Sequence, residues 1–355
     1  MANPGHTLPE PWDGIAVQHC AAVHGLYSGD YQAAYNHQKQ VCQLFFRWFQ
    51  DASAWALPIL YLLLNDLRRF ASLADEPGYA AGGGLPSLEE CSRLVSKAFS
   101  LCATDRVNKG RESRRNGAYH TACLSMKCYF RVGKPNLCKN VVRAVTSDPK
   151  TPPVEQAPIG DQVTWRFYIG MLAFLAGEDA RAATELEWAF LHCPASSKRN
   201  QELILTFLIP LHLLRGSLPS AKLLARFPRL QETYGPFVDA IRTGSVQAYD
   251  EALERAQPRL VSMNTYLAVE RAREICLRTL FRRAWAASDR NSRIPISTFR
   301  KALELQRVEV DNDEVECMVA NMIFRGFIRG YISHERQTIV LAKTNAFPAL
   351  SSIPR

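Results

Sequence analysis

Apolar residues recur at helical spacing from about residue 15 to residue 288. The first hundred residues predict two or three helices. One carries Val41, Leu44, Phe45, Trp48 and Phe49, separated by 3, 1, 3 and 1 positions, which lines them along one face. The longest unbroken apolar run, 54–64, covers 11 residues and contains Pro58. A bilayer needs roughly 20 residues, so this run predicts a buried helix and no membrane insertion. Residues 74–86 (ADEPGYAAGGGLP) have two prolines, a run of glycine and no apolar period, and predict a flexible loop or insertion.

From residue 116 a unit recurs: a helix, a glycine near its end, a second helix, then a break. The glycines are Gly133, Gly177, Gly216 and Gly244, spaced 44, 39 and 28. The clearest copy, 164–194, resembles a tetratricopeptide repeat. Gly170 and Ala182 stand where two helices would approach closely, Ala189 follows, and Pro194 marks the stop. One such helix pair cannot bury its apolar face alone, so the pairs stack. The uneven spacing predicts a degenerate stack.

After residue 290 the texture changes. Residues 294–296 (IPI) form a short β-prone segment, and Ser297 is read as the N-cap of a helix from Thr298 to about Gln306. Asp311 and Glu314 make a capping box for a helix with Val315, Met318, Val319 and Met322 on one side. Two β-rich runs follow, 326–333 and 338–342, separated by His334, Glu335 and Arg336. Strand, helix, helix, hairpin is the order of a winged helix. The predicted class is therefore all-α: a tetratricopeptide-like stack of helical hairpins followed by a C-terminal winged helix. The expected divisions are N-terminal helices at 1–104, the stack at 105–288, the winged helix at 289–343 and a tail at 344–355.

Composition changes this picture in two ways. The ten cysteines form no Cys-x-x-Cys pair and sit mostly among apolar neighbours. With no secretory signal at the N-terminus (MANPGHTLPEPWDG), they are read as reduced thiols in a reducing compartment. The net charge of +9 is uneven: residues 1–100 carry −3, and residues 101–355 carry +12. A basic C-terminal two-thirds suits a polyanionic partner, and an ordinary solvated surface explains the same charge.

No enzyme chemistry is legible. There is no His-x-His pair, no His-Glu-x-x-His, no Gly-x-Ser-x-Gly and no Gly-x-x-x-x-Gly-Lys, so no catalytic residue, cofactor or metal site is expected. His19, His24 and His37, spaced 5 and 13, do not share a helical face.

A helical stack feeding a winged helix resembles the PCI domain, which is shared by the proteasome lid, the cullin-modifying signalosome and a translation-initiation factor. The likeness is carried by 203–210 (LILTFLIP) with Leu214, Arg215 and Gly216, by 313–317 (DEVEC) and 320–326 (ANMIFRG), and by 330–334 (GYISH) and 345–351 (NAFPALS). These residues resemble the branch of the family that serves transcription-coupled messenger-RNA export and associates with the signalosome. The likeness covers roughly residues 105–352, and the PCI domain would occupy about 160–343. The resemblance implies a non-catalytic scaffold in the nucleus, with the cytoplasm and the nuclear pore as further sites. It also implies a larger PCI-domain export scaffold and a small acidic subunit shared with the proteasome lid as partners. RNA or DNA would be bound without sequence specificity; pairing with signalosome subunits alone is the alternative.

The basic residues supply the candidate contacts. On a helix over about 263–285, Arg271, Arg278 and Arg282 fall within about 40° of one another, with Arg273 and Arg283 widening the stripe. Leu267, Ile275 and Leu280 are expected on the opposite side. Arg325, Arg329, Arg336 and Lys343 gather on the hairpin, and Arg300 and Lys301 on the preceding helix. Asp311, Asp313, Glu314 and Glu316 would repel DNA from the helix that a winged helix ordinarily inserts, leaving phosphate contacts from the wing. A further basic loop holds Arg106, Lys109, Arg111, Arg114 and Arg115, read first as an exposed, solvated loop, with a nucleic-acid contact or a weak nuclear-import signal as the alternatives.

Overall fold

The computed structural model describes residues 8–80 and 82–353. The chain divides into two compact units, Met1–Tyr168 and Ile169–Arg355.

The first unit consists of α1 (Trp12–Ser28), α2 (Tyr31–Phe49), α3 (Leu57–Ala80), α4 (Pro86–Ala103), α5 (Ala118–Arg131), α6 (Cys138–Thr146) and the start of α7 (Ile159–Leu175). The Asp30 side chain accepts a hydrogen bond from the Ala33 amide at 2.9 Å, so α2 starts one residue after the turn that ends α1. The predicted apolar face of α2 is real: Val41, Phe45 and Phe49 are fully buried, packed among Leu60, Leu64, Leu67, Val95 and Ala98. Each phenylalanine buried this way contributes roughly 1.5–3 kcal/mol. Residues 74–86 are not one loop. Helix α3 runs on through Pro77 to Ala80, and its buried Asp75 carboxylate accepts from the amides of Ser87 (3.0 Å) and Leu88 (2.8 Å), tying α3 to the first turn of α4. Only the turn between α3 and α4 matches the expected loop, and Ala81 lies outside the described residues.

The second unit continues with α8 (Asp179–His192), α9 (Lys198–Leu214), α10 (Ala221–Ala225), α11 (Pro228–Thr243), α12 (Val246–Ser262) and α13 (Tyr266–Ala287). Helix α13 is the spine, packing against α9, α11 and α12. The small residues do what the pattern asked. A Cβ on Gly170 would lie 2.7 Å from Leu186 Cγ, and Ala182 and Ala189 are fully buried. The four spaced glycines all adopt left-handed φ, between 67° and 76°.

Beyond α13 come β1 (Arg293–Pro295), α14 (Ile296–Glu304), α15 (Asn312–Phe324), β2 (Gly330–Ser333) and β3 (Thr338–Leu341). The sheet is antiparallel in the order β1-β3-β2, which is a winged helix. Helix α14 begins at Ile296 with Pro295 as its cap, two residues earlier than expected; Ser297 lies inside it. The capping box at Asp311 and Glu314 is present in both directions, at 2.8 and 3.0 Å. Phe281 of α13 and Phe299 of α14, both fully buried with ring centroids 4.7 Å apart, fasten the winged helix to the spine.

The expected tail is a packed strap. Ala346 and Pro348 are buried, the Ala346 carbonyl accepts from the Arg329 amide at 2.8 Å, and Phe347 lies against Trp285 at 5.3 Å. Residues 354–355 lie outside the described residues. The strap ends with Leu350 pressed onto Gly216, where an added Cβ would stand 2.0 Å from Leu350 Cδ1 and φ is +67°. Gly216→Ala therefore combines a left-handed penalty with a clash, and is expected to cost about 1–3 kcal/mol. Thermal unfolding of Gly216→Ala, alone and with Leu350→Ala, checks this. The double variant should recover the clash share and leave the backbone share.

Candidate nucleic-acid interface

The arginine row predicted on α13 separates into three environments. Arg278 is the clearest departure. It is 4% exposed, its Nε donates to the Phe327 carbonyl at 3.1 Å, and a terminal nitrogen donates to the Pro348 carbonyl at 2.5 Å. Its guanidinium also faces the Phe347 ring at 5.8 Å. Burial, and then the neighbouring Arg282 charge, pull its pKa down to about 10, so it stays cationic at neutral pH. Arg278 holds the strap and is unavailable to a phosphate. The strap crosses the stripe at its middle position, which helical periodicity alone does not reveal.

Arg271 is exposed but paired with Asp179 at 2.7 Å, and Arg325 is paired with Glu274. These four line one cleft of about 500 Å3. Arg273 makes a two-pronged contact with Asp250, at 2.6 and 2.7 Å. Each of these cations already has an anion, which lowers its value to an incoming phosphate. Leu267, expected on the buried side, is 70% exposed, while Ile275 and Leu280 are buried.

The third environment is open. Arg282, Arg329, Arg336 and Lys343 are exposed, and their side chains make no hydrogen bond or ion pair among the described residues. Arg283 is also exposed, with one contact to the Arg242 carbonyl at 3.3 Å. On the preceding helix Arg300 is tied to Glu304 at 3.1 Å, whereas Lys301 is exposed. One residue escapes the sequence reading. Arg293, which opens β1, is exposed and equally unpaired among the described residues. Its signal is the β-prone segment itself, because an arginine directly before two isoleucines flanking a proline belongs to the sheet.

The acidic start of α15 is where the sequence placed it. Asp311, Asp313 and Glu314 are exposed, and Glu316 accepts from His334 Nδ1 at 3.0 Å. That hydrogen bond and charge raise the His334 pKa above its ordinary value. Carboxylates at this end oppose entry of α15 into a duplex groove.

The basic loop before α5 does not form a third surface. Arg106, Lys109 and Arg111 are exposed, but Arg114 and Arg115 are buried, 6% and 8% exposed. Arg114 donates to the carbonyls of Phe49 (2.6 Å) and Gln50 (2.7 Å), and Arg115 Nε to the Asp105 carbonyl at 2.8 Å. Arg115 also pairs with Asp148. Asp105 is the hub: its carboxylate accepts from the amides of Val107, Asn108 and Arg114, from the Ser113 hydroxyl and from the Arg114 guanidinium. Burial pushes the Asp105 pKa up, but these donors outweigh it and hold the carboxyl at about 2. The cluster is a fold lock, and its charges face inward.

A PCI domain model matches residues 246–343, the span from α12 through the hairpin. The CSN12 homolog of Mycosarcoma maydis is 37% identical over 346 residues, covering 90% of this chain and 76% of that protein. PCI domain-containing protein 2 of Xenopus laevis is 31% identical over 351 residues, covering 98% of this chain and 86% of its own length. The CSN12 homolog of Schizosaccharomyces pombe is 32% identical over 357 residues, with 96% and 84% covered. The chain belongs to the PCI-domain family, in the branch of the CSN12 homologs and PCI domain-containing protein 2. Among the described residues no helix is long and apolar enough to cross a membrane.

Proposed function

We propose that this chain is a non-catalytic PCI scaffold subunit of the nuclear, transcription-coupled messenger-RNA export machinery. In this reading it pairs with a larger PCI protein and a small acidic subunit, and it holds nucleic acid without sequence specificity. The observation that supports nucleic-acid binding best is the set of unpaired cations on the winged helix and the end of α13: Arg282, Arg293, Arg329, Arg336 and Lys343. They lie in a unit whose recognition helix opens on carboxylates, so the contacts go to phosphates, not base edges. Such binding weakens steeply as salt rises, because each neutralised phosphate releases counterions.

The test is RNA affinity at low salt, read by fluorescence anisotropy. Changing Arg282, Arg329 and Arg336 together to glutamate should weaken binding at least tenfold with the fold intact. Arg271→Glu, whose parent residue is held by Asp179, should do much less. Equal losses in both variants, or no loss in the first, would reject the assignment. The CSN12 homolog names among the relatives favour a second reading, a signalosome-associated subunit that acts only in protein assembly. The proteins that co-purify with the chain separate the two: an export scaffold with a small acidic subunit, or signalosome PCI subunits.

A further inference from the structure

The strand register places Arg293, Val340 and Tyr331 side by side across the sheet. The next row, Ile294, Ile339 and Ile332, turns to the opposite face, where Ile294 and Ile339 are buried. Alternation therefore sends Arg293, Val340 and Tyr331 outward, together with Pro295, Thr338 and Ser333 one row on. The Ala342 amide donates to the Arg329 carbonyl at 2.9 Å, extending the β2–β3 ladder by one pair and placing Arg329 on the outward face two residues from Tyr331. None of these outward positions carries a carboxylate. Glu335 sits beyond them in the hairpin turn.

Tyr331 is 63% exposed, and among the described residues its ring packs on no other ring and its hydroxyl has no partner. A large aromatic on the outward face of a water-facing sheet, on edge strand β2 with Arg329 on the same strand and Arg293 across Val340, gains little from the fold itself. It has the makings of a stacking platform: a flat ring for a base, and cations on either side for the backbone. A duplex keeps its base faces covered and offers such a ring nothing. A single strand offers both base and phosphate.

We infer that the outward face of the β1-β3-β2 sheet binds single-stranded nucleic acid, with Tyr331 stacking on a base between phosphate contacts from Arg293 and Arg329. This rests on the nucleic-acid reading above and adds to it the class of strand and a base-contacting residue. Tyr331 is exposed, so its replacement leaves the core untouched.

The experiment measures affinity of the full chain for three probes of equal length: a single-stranded oligonucleotide tested as RNA and as DNA, the same strand without bases, and a duplex. Tyr331→Ala should weaken single-strand binding about tenfold, as expected when one stacked base is released. It should leave the abasic strand and the duplex unchanged, and Tyr331→Trp should restore single-strand binding. If Tyr331→Ala binds every probe like the wild type while Arg293→Glu with Arg329→Glu weakens all three, the stacking role is wrong and phosphate binding stands. If the wild-type chain binds none of the probes at low salt, both are overturned.

Discussion

Replacing Arg278 with methionine is expected to lower the stability of the C-terminal unit by about 3 kcal/mol and to release the strap. Methionine retains the apolar stem but removes both donors, leaving the buried carbonyls of Phe327 and Pro348 without partners. Each unsatisfied buried group costs about 1–3 kcal/mol. Arg278→Lys should recover little, because a compact ammonium does not reproduce the planar fork that reaches both carbonyls beside Phe347. Denaturant unfolding gives the energy, and limited proteolysis after residue 343 reports the strap. A variant that unfolds like the wild type yet loses RNA affinity would return Arg278 to the phosphate-contacting row.

The N-terminal unit has its own lock. Asp105→Ala should cost about 3–5 kcal/mol, the usual result of removing one partner from a buried ion pair. It strands the Arg114 guanidinium and three backbone amides together. The same group sets an acid limit. Its folded pKa, about 2, lies below the ordinary aspartate value near 3.9, so its contribution is complete above about pH 4. That contribution is lost as pH falls through 2. Stability between pH 5 and 2 should therefore drop less in Asp105→Asn than in the wild type. Equal slopes would mean that the carboxylate is not the hub.

Much of the molecule is legible along the chain, and the departures share one cause. The α2 face, the Gly170–Ala182 approach, the capping box at Asp311 and the strand order of the winged helix are local patterns, and the structure contains each of them. Arg278 looks like surface charge because it shares a helical stripe with Arg271 and Arg282, and Arg114 and Arg115 because their neighbours in sequence are charged. Each is buried by residues far along the chain: the strap at 346–353, the end of α2, and Asp148. Asp75 misleads in the same way, since its partners Ser87 and Leu88 lie beyond the glycines, across the turn that joins α3 to α4. Arg293 is hidden for the opposite reason. Its importance comes from the sheet register that sets it across Val340 from Tyr331, and no spacing along one strand encodes that.

The central claim is that exposed, unpaired arginines of the winged helix and the end of α13 carry nucleic-acid binding, while paired and buried ones serve the fold. The dependence of RNA affinity on salt tests it most directly. On a single strand, removing one cation that neutralises a phosphate should reduce the slope of log affinity against log salt by about 0.7. Changing Arg282, Arg293, Arg329 and Arg336 to glutamine should flatten the slope by about 2–3 in total, and Arg271→Gln should leave it close to the wild-type value. A slope that survives the fourfold change, or that falls equally with Arg271→Gln, would contradict the account.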